Sequence, residues 1–345
     1  MEVPAISVLI PMYNRKHCIE DCVNSVLNQT FKDFEIVIRD NRSEDGSFEF
    51  VQQRYAKEIS AGKIKLKLSF KNLGEFGSEN HLLLDAAGKY VQFLHSDDIL
   101  LPNALEYLYE CAKTYNADVV HAQSFFVLPM NSNKAAASSL DRHRVNKITV
   151  MSNDPAQRFS EWIDNGTFWD VQYNLFNRNF LVDNEIFIEV PGGSSLTLAL
   201  WWLMLAKVFV KVPAPVYVRR DSPDSLTNKK PVATDKIEKI ITGFIELYRK
   251  LDQLFDKVEY FKDNPKIQYS IKAHCHSIYD GWNMNRLAFY KDGITEEINE
   301  TVEKVFKKYF GNDYAYPALL FNLAHVLPFN KSFEKITPAP TPPHF

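Results

Sequence analysis

Residues 5–40 read AISVLIPMYNRKHCIEDCVNSVLNQTFKDFEIVIRD, and this stretch decides the fold. It begins with the apolar run AISVLI at 5–10 and ends with FEIVI at 34–38, two β-branched segments typical of strands. Between them, apolar residues recur every three or four positions over 17–29, which predicts a helix packed on the sheet. A strand, a helix and a strand in this order predict a βαβ unit with parallel strands.

The same alternation continues along the chain. Further strands and helices are predicted at 64–70, 90–94, 102–115, 117–122, 196–206, 208–212 and 216–220. Together these elements predict an α/β fold built on a Rossmann-like, mostly parallel sheet.

Helical patterns alone follow Asp235, and the last residues, KITPAPTPPHF, are too rich in proline for a helix or a central strand. The predicted helices span 237–255, 267–290 and 294–310. We therefore predict a sheet domain over 1–230, a helical C-terminal extension over 231–330 and a proline-rich tail over 331–345.

Composition limits the functional class. The 345 residues carry a formal net charge of −3, whereas nucleic-acid-binding proteins usually present a strongly basic face, so a nucleic-acid partner is not expected. The four cysteines have neither zinc-site nor disulfide-framework spacing, which favours a reduced, cytoplasmic compartment. No apolar stretch approaches the roughly 20 residues of a transmembrane helix, so none is predicted.

Ligands of open α/β sheets bind beyond the carboxyl ends of the strands, so the loops there are informative. After the first strand come Pro11, Tyr13, Asn14 and Arg15, which offer an aromatic ring, an amide and a guanidinium. An ordinary strand-to-helix turn would also explain this loop taken alone.

Asp40 ends the second predicted strand and precedes a polar turn at 41–46. A carboxylate at this position can accept a hydrogen bond from the ring N–H of a pyrimidine base. Helix capping explains Ser43 and Asp45 well, but it explains Asp40 less well.

The fourth predicted strand is followed by His95, Ser96, Asp97 and Asp98. Adjacent carboxylates at the end of a buried strand repel each other and lose solvation, which a divalent cation between them and a ligand would offset. Mg²⁺ and Mn²⁺ bridge diphosphate oxygens, so a nucleoside diphosphate fits this loop. A solvated helix cap is the alternative for the isolated pair.

Several spaced motifs resemble glycosyltransferase family 2. They are ISVLIPMYNR, SVLNQTFKDFEIVIRDNRSEDGS, the turn at Asn72 to Gly74 with Asn80 behind it, and AAGKYVQFLHSDDILLP, in the family's order. The resemblance is close over about residues 4–125 and looser to about 228. It implies a GT-A fold and an inverting transfer from a nucleoside diphosphate sugar, usually a UDP-sugar.

The resemblance also implies roles for individual residues. Asp40 would read the base, and Asp97 would hold a Mn²⁺ or Mg²⁺ ion on the diphosphate. Asp98 would lie beside the acceptor as a catalytic residue or support the metal loop. The donor-binding set it implies is Pro11, Tyr13, Asn14, Arg15, Asp40, Asn72, Ser96 and Asp97.

The chain departs from the family pattern in two places. His95 stands where the aspartate-any-aspartate motif of many members begins; it can ligate the metal, contact a phosphate or simply end a strand. Ser194 and Ser195 stand where a Glu-Asp pair is common, and a serine alone is a poor general base.

Three explanations of the serine pair stay open. Another carboxylate supplies the base, for which Glu189 is expected, with Glu185 and Asp170 as alternatives; the alignment is shifted; or transfer activity is lost. In the last case the chain would be a non-catalytic sugar-nucleotide-binding relative. Nucleotidyl transfer is less favoured, because the sequence has no glycine-rich phosphate loop.

By analogy, the expected acceptor is a glycan or a lipid-linked or protein-linked glycoconjugate in bacterial surface polysaccharide or glycan synthesis. The expected location is the cytoplasm or the inner face of the membrane. The apolar faces of the helical region are expected to pack within the protein, while peripheral membrane contact and a homo-oligomer stay open.

Overall fold

The structure, a computed structural model, describes residues 3–129, 147–164, 170–186, 194–221, 237–272, 275, 300, 303, 304, 307, 308 and 311–314. Its strands are β1 (Ile6–Met12), β2 (Phe34–Asp40), β3 (Ile64–Leu68), β4 (Tyr90–Phe93), β5 (Ile99–Leu100), β6 (Val119–Ala122), β7 (Phe126–Pro129), β8 (Thr149–Val150), β9 (Asn174–Asn177), β10 (Phe209–Val212) and β11 (Tyr217–Asp221).

Helices follow or separate these strands. They are α1 (Ile19–Leu27), α2 (Ser47–Arg54), α3 (Ala56–Ser60), α4 (Gly74–Asp85), α5 (Ala104–Tyr115), α6 (Pro155–Asp164), α7 (Arg178–Asp183), α8 (Ser194–Leu205), α9 (Ile237–Lys257) and α10 (Glu259–Lys262), with 3-10 turns at Val171–Tyr173 and Gly311–Tyr314.

The main sheet has the strand order β3-β2-β1-β4-β9-β6-β10-β8. Strands β1, β2, β3 and β4 run parallel, as do β6 and β10. A smaller sheet has the order β5-β11-β7. The prediction of an α/β fold with a mostly parallel sheet is confirmed.

Strand β9 lies in the middle of the main sheet and runs antiparallel to both neighbours, β4 and β6. The sequence did not predict it. Its four residues, Asn174–Asn177, are too few to show the alternation that identifies a strand, and polar residues stand at both ends. Burial from both sides, rather than local pattern, holds this segment in the sheet.

Alternation along β1 builds the core beneath the site. Ile6, Val8 and Ile10 point to one face and are fully buried there against α1, whose Cys22 and Val26 are also fully buried. Burial of each large aliphatic side chain contributes about 2 kcal/mol relative to exposure. The predicted helix over 17–29 is therefore the amphipathic element that covers this face.

The chain divides into two compact units, one of Met1–Lys230 with Glu246–Gln268 and one of Pro231–Ile245 with Tyr269–Phe345. In the first unit, the Trp201 indole N–H of α8 donates to the Lys250 carbonyl at 3.2 Å. The sequence assigned all of 231–330 to the extension, and that boundary stays a prediction. Most of the helices predicted at 267–290 and 294–310, and the tail, lie outside the described residues.

Among the residues that the structure describes, no helix combines the length and apolar character needed to cross a membrane.

His121 is a buried titratable residue in the centre of the sheet. Its Nδ1 lies 2.8 Å from the Asn174 side-chain oxygen, which joins β6 to β9. The pKa of His121 is lowered from its ordinary 6.5 to about 4; burial is the main cause, the Asn174 bond opposes it, and the nearby Lys211 ammonium adds a smaller lowering. The folded protein therefore keeps this imidazole neutral.

Replacing His121 with Gln should reduce the acid sensitivity of folding. Between pH 6.5 and about 4 the unfolded wild type takes up a proton at this position while the folded protein does not, so stability falls as the pH falls. This group contributes up to about 1.4 kcal/mol per pH unit in that window and nothing further below it. Urea denaturation at several pH values measures the slope, and equal slopes in both proteins would contradict the assignment.

Candidate functional site

Three loops meet at one edge of the sheet because β1 lies between β2 and β4 and all three are parallel. Met12 at the end of β1 is paired with Asp40 at the end of β2, and β4 ends at Phe93, opposite Leu9 and three residues before the end of β1. The loops that follow β1, β2 and β4 are therefore neighbours. This arrangement brings together the sequence-predicted residues of all three.

The loop after β1 is held in one conformation by the loop after β2. Asn14 has a left-handed backbone with a φ of 54°, and its N–H donates to the Ser43 hydroxyl at 2.9 Å. The Asn14 side-chain oxygen accepts the Glu44 N–H at 2.8 Å, and the Arg15 N–H donates to the Ser47 hydroxyl at 2.9 Å. Pro11 lies within β1, and the Tyr13 ring is 41% exposed at the rim.

Asp40 is fully buried at the end of β2. Its Oδ1 accepts the Ser43 N–H at 2.8 Å, whereas Oδ2 has no hydrogen-bond partner in the described part of the chain. A buried acceptor without a donor costs about 1–3 kcal/mol or more, so such an atom calls for a ligand or a water. Capping of the turn explains the bond to Asp40 Oδ1 but gives no role to Oδ2.

Asn72 reaches the site through the residue after Asp40. Its side-chain oxygen accepts from the Asn41 side-chain amide at 3.0 Å and from the Gly74 N–H at 2.8 Å. The Asn41 oxygen in turn accepts the Leu73 N–H at 2.8 Å. Asn72 therefore shapes the turn into α4 and ties it to the loop after β2.

Asp97 and Arg15 join the loops after β4 and β1. The Asp97 Oδ2 lies 3.6 Å from the Arg15 Nη2, and both side chains are partly exposed, at 17% and 19%. The neighbouring Ser96 is buried, and its carbonyl lies 3.8 Å from the Cys18 sulfur. The structure thus sets a cationic and an anionic side chain of the predicted donor set against each other at the edge.

Asp98 has a different environment from Asp97. It is buried, its Oδ2 accepts the Tyr217 hydroxyl at 2.7 Å, and its Oδ1 accepts the Arg220 N–H at 2.7 Å. Burial, reinforced by the Asp97 charge, raises the pKa of Asp98 from 3.8 to about 7. A catalytic role for Asp98 stays a prediction; its bonds favour the other role expected of it, support of the metal loop.

His95 lies between two carboxylates. Its Nε2 is 3.7 Å from the Glu79 Oε1 and its Nδ1 is 3.9 Å from the Asp98 Oδ2. Glu79 is buried on α4, while the imidazole is 27% exposed. A carboxylate in place of this ring would be repelled by both Glu79 and Asp98. The histidine avoids that repulsion, and when protonated it offsets part of the negative charge of the two acids.

A ligand atom from each of His95, Asp97 and Asp98 lies within 4.8 Å of the others, so this group could hold a divalent cation. Both Asp98 oxygens already accept hydrogen bonds from Tyr217 and Arg220, so this carboxylate is poorly placed as a ligand. Asp97 and His95 remain, an oxygen and a nitrogen donor that suit Mn²⁺ and, less well, Mg²⁺.

The sequence analysis did not identify two residues of β11, Tyr217 and Arg220, as part of the site. Tyr217 donates to Asp98, and the Arg220 guanidinium donates to the carbonyls of Asp97 and Cys18 and to the Asp21 carboxylate. One signal could have found Arg220. Strand alternation puts it on the same face as the buried Val216 and Val218, where a cation needs partners.

The candidate general bases differ in position. Glu189 lies outside the described residues. Glu185 has an exposed side chain that lies 3.4 Å from the Lys257 ammonium. Asp170 precedes the turn carrying Tyr173, whose ring packs edge-on against Tyr217 at 5.3 Å, next to the Asp98 loop.

The serine pair begins α8, since Ser194 and Ser195 are its first two residues. The prediction that these serines replace a Glu-Asp pair stays a prediction.

Comparison with known proteins adds to this geometry. The family model described as "Glycosyl transferase family 2" matches residues 7–180, about half of the chain. The chain belongs to glycosyltransferase family 2. The match spans β1 to β9 and includes every loop that forms the edge described above, and the protein is accordingly a glycosyltransferase.

Two curated relatives of this family 2 glycosyltransferase act on lipid-linked glycans, as their names state. A GalNAc(5)-diNAcBac-PP-undecaprenol beta-1,3-glucosyltransferase of Campylobacter jejuni is 26% identical over 338 residues, 97% of each chain. A UDP-Glc:alpha-D-GlcNAc-diphosphoundecaprenol beta-1,3-glucosyltransferase of Escherichia coli is 35% identical over 101 residues, 29% of this chain and 38% of the relative.

A solved structure shares the fold. Residues 1–349 of S. aureus TarS, crystallised with UDP, superpose with a TM-score of 0.62 at 16% identity, covering 88% of this chain and 81% of the other. The likeness confirms the GT-A fold for this family 2 member.

Replacing Tyr217 with Phe should destabilise the glycosyltransferase by about 1–3 kcal/mol, because the buried Asp98 loses a donor while the packing of the ring is kept. Urea denaturation measures the free energy of unfolding. The matched control is Tyr109→Phe, which removes a hydroxyl from a half-buried ring outside the site and should change stability by less. Equal losses in the two variants would contradict the role of Tyr217.

Proposed function

We propose that this glycosyltransferase transfers a sugar, with inversion, from a UDP-sugar to a hydroxyl of a lipid-linked glycan. The observation that carries the donor half of this proposal is the buried, unpartnered Asp40 Oδ2 on the same edge of the sheet as the Arg15–Asp97 pair. One end of this edge calls for a hydrogen-bond donor, and the other end offers charges for a diphosphate. A nucleoside diphosphate has these groups in the same order.

We assign the base of the donor as uracil, because its groups fit Asp40 and Tyr13. Its ring N3–H is a donor that Asp40 Oδ2 can accept, and the exposed Tyr13 ring offers a stacking face at the rim. The TarS structure with UDP and the name of the Escherichia coli relative, which specifies UDP-Glc, favour uridine over guanosine.

The diphosphate and its metal would replace the direct contact between Arg15 and Asp97. The Arg15 guanidinium can bind phosphate oxygens with two parallel hydrogen bonds. Asp97 and His95 would hold a Mn²⁺ or Mg²⁺ ion, which when bound neutralises the charge that develops on the departing UDP. The donor would also be bounded by the backbone of the loops that carry Pro11, Asn14, Asn72 and Ser96.

The chemistry we propose is a direct displacement. The acceptor hydroxyl oxygen forms a bond to the anomeric carbon as the bond to the diphosphate oxygen breaks, UDP leaves, and the hydroxyl proton passes to a carboxylate. We propose Glu189 as that base and Asp170 as the second candidate. Glu185 is less suited, because its carboxylate faces Lys257.

The acceptor proposal rests on the relatives, both of which act on undecaprenol diphosphate-linked glycans. A lipid-linked acceptor would bring the enzyme to the inner face of a bacterial membrane during glycan or polysaccharide synthesis. Peripheral contact with that membrane and a homo-oligomer stay proposals as well.

Replacing Asp40 with Asn should weaken UDP binding about 10- to 100-fold, because a charged acceptor is lost and the amide donor would face the ring N–H. Calorimetric titration with UDP and Mn²⁺ measures the affinity. Glu44→Gln is the matched control, since it removes one negative charge from an exposed side chain of the same loop and should leave affinity unchanged. Unaltered affinity in the Asp40 variant would reject the base assignment.

Replacing Glu189 with Gln should leave UDP affinity unchanged and lower sugar transfer at least 100-fold, the contribution typical of a general base. Transfer to an undecaprenol diphosphate-linked glycan is followed by mass spectrometry, with Asp170→Asn in parallel. Loss of transfer only in the Asp170 variant would move the role to Asp170. Wild-type protein that binds UDP and transfers no sugar to water or acceptor would instead favour the non-catalytic relative.

A further inference from the structure

Arg220 contacts two of the three site loops at once. Its Nη2 donates to the Cys18 carbonyl at 3.2 Å, at the end of the loop after β1, and its Nε donates to the Asp97 carbonyl in the loop after β4. Its Nη1 bonds the Asp21 carboxylate at 2.7 Å. The side chain is 7% exposed, so the guanidinium is engaged on every nitrogen and shielded from water.

The backbone of Arg220 adds a fourth bond. Its N–H donates to the Asp98 Oδ1 at 2.7 Å, while Tyr217 of the same strand donates to the other oxygen. Strand β11 therefore bonds the backbone carbonyl of Asp97 and the side-chain carboxylate of Asp98. A shift of β11 would move both residues of the loop.

The Cys18 contact leads back to Arg15. The Cys18 N–H donates to the Arg15 carbonyl at 3.0 Å, and the Arg15 N–H is fixed by Ser47. One rigid path thus runs from Asp97 through the Arg220 guanidinium and Cys18 to Arg15. The ends of this path are the two opposite charges that face the proposed diphosphate.

The Arg15 Nη2 and the Asp97 Oδ2 lie 3.6 Å apart, an ion pair that is longer than the roughly 2.8 Å of a hydrogen-bonded pair. A phosphate bound to Arg15 and a metal bound to Asp97 would replace this contact. Arg220 anchors the Asp97 loop, and through Cys18 the Arg15 loop, by backbone carbonyls, which leaves both charged side-chain ends free for that exchange.

We propose that Arg220 is a positioning residue that fixes the backbone of the two loops carrying Arg15 and Asp97, so that these side chains can bind a metal-bound nucleoside diphosphate. This inference rests on the proposed function and extends it to a residue that touches neither donor nor metal. Arginine suits the role because its planar fork reaches three acceptors in fixed directions, which a lysine ammonium cannot do.

The test compares wild type with Arg220→Lys and the neighbouring Arg219→Lys as the matched control. Arg219 is 42% exposed and pairs with Asp221, so its exchange changes the same charge type on the same strand outside the path. Calorimetry at a temperature where all three proteins are folded measures the Mn²⁺ concentration that half-saturates the UDP complex. Arg220→Lys should raise it about 10- to 100-fold, as loss of an outer-shell partner does, and Arg219→Lys should leave it unchanged.

A second variant covers the case in which Arg220→Lys does not fold. Asp21→Asn removes only the outer anchor of the guanidinium, and the Asp21 side chain is 68% exposed, so the fold should tolerate it. The half-saturating Mn²⁺ concentration should rise about threefold. A purely structural role would lower the melting temperature of these variants and leave the Mn²⁺ requirement of the folded protein as it is.

The outcomes separate the two proposals. Wild type that binds UDP, with the same Mn²⁺ requirement in every folded variant, would overturn the role of Arg220 alone. Wild type that fails to bind UDP with Mn²⁺ would overturn the proposed function, and the inference with it.

Discussion

The parallel pairing of β1 with β2 and β4 is the constraint on which the site depends. Because these three strands are adjacent and point the same way, the loops that follow them lie at the same edge of the sheet. The first loop, between the other two, is hydrogen-bonded to Ser43 and Ser47 on one side and contacts the third loop through the Arg15–Asp97 ion pair on the other. Backbone pairing alone therefore turns three separate sequence motifs into one surface.

The adjacent acids Asp97 and Asp98 differ in burial and therefore in their contacts. Asp97 stays partly exposed at the edge, whereas Asp98 turns inward to the Tyr217 hydroxyl and the Arg220 N–H. A carboxylate taken out of water needs such donors, and supplying them ties the β4 loop to β11. His95 places a basic ring between the buried Glu79 and Asp98 carboxylates.

Local patterns in the sequence were sufficient for much of this structure. The β-branched runs at 5–10, 34–38 and 90–94 became β1, β2 and β4, and polar residues at their ends placed Asp40 and Asp97 on a common edge. Strand β9 was missed because four residues carry no periodicity, and it is held by neighbours distant in sequence. Arg220 was missed for a similar reason, since its partners are fixed by the closed fold rather than by any nearby motif.

The span of these contacts bears on the order of folding. The bond between Arg220 and Asp21 closes a loop of 199 residues, and contacts of such separation form late because the chain entropy must be overcome first. During synthesis the β1, β2 and β4 segments leave the ribosome long before β11 does. A nascent chain can therefore pair its first strands early, yet it acquires an ordered Asp97–Asp98 loop only after the C-terminal strand of the small sheet has docked.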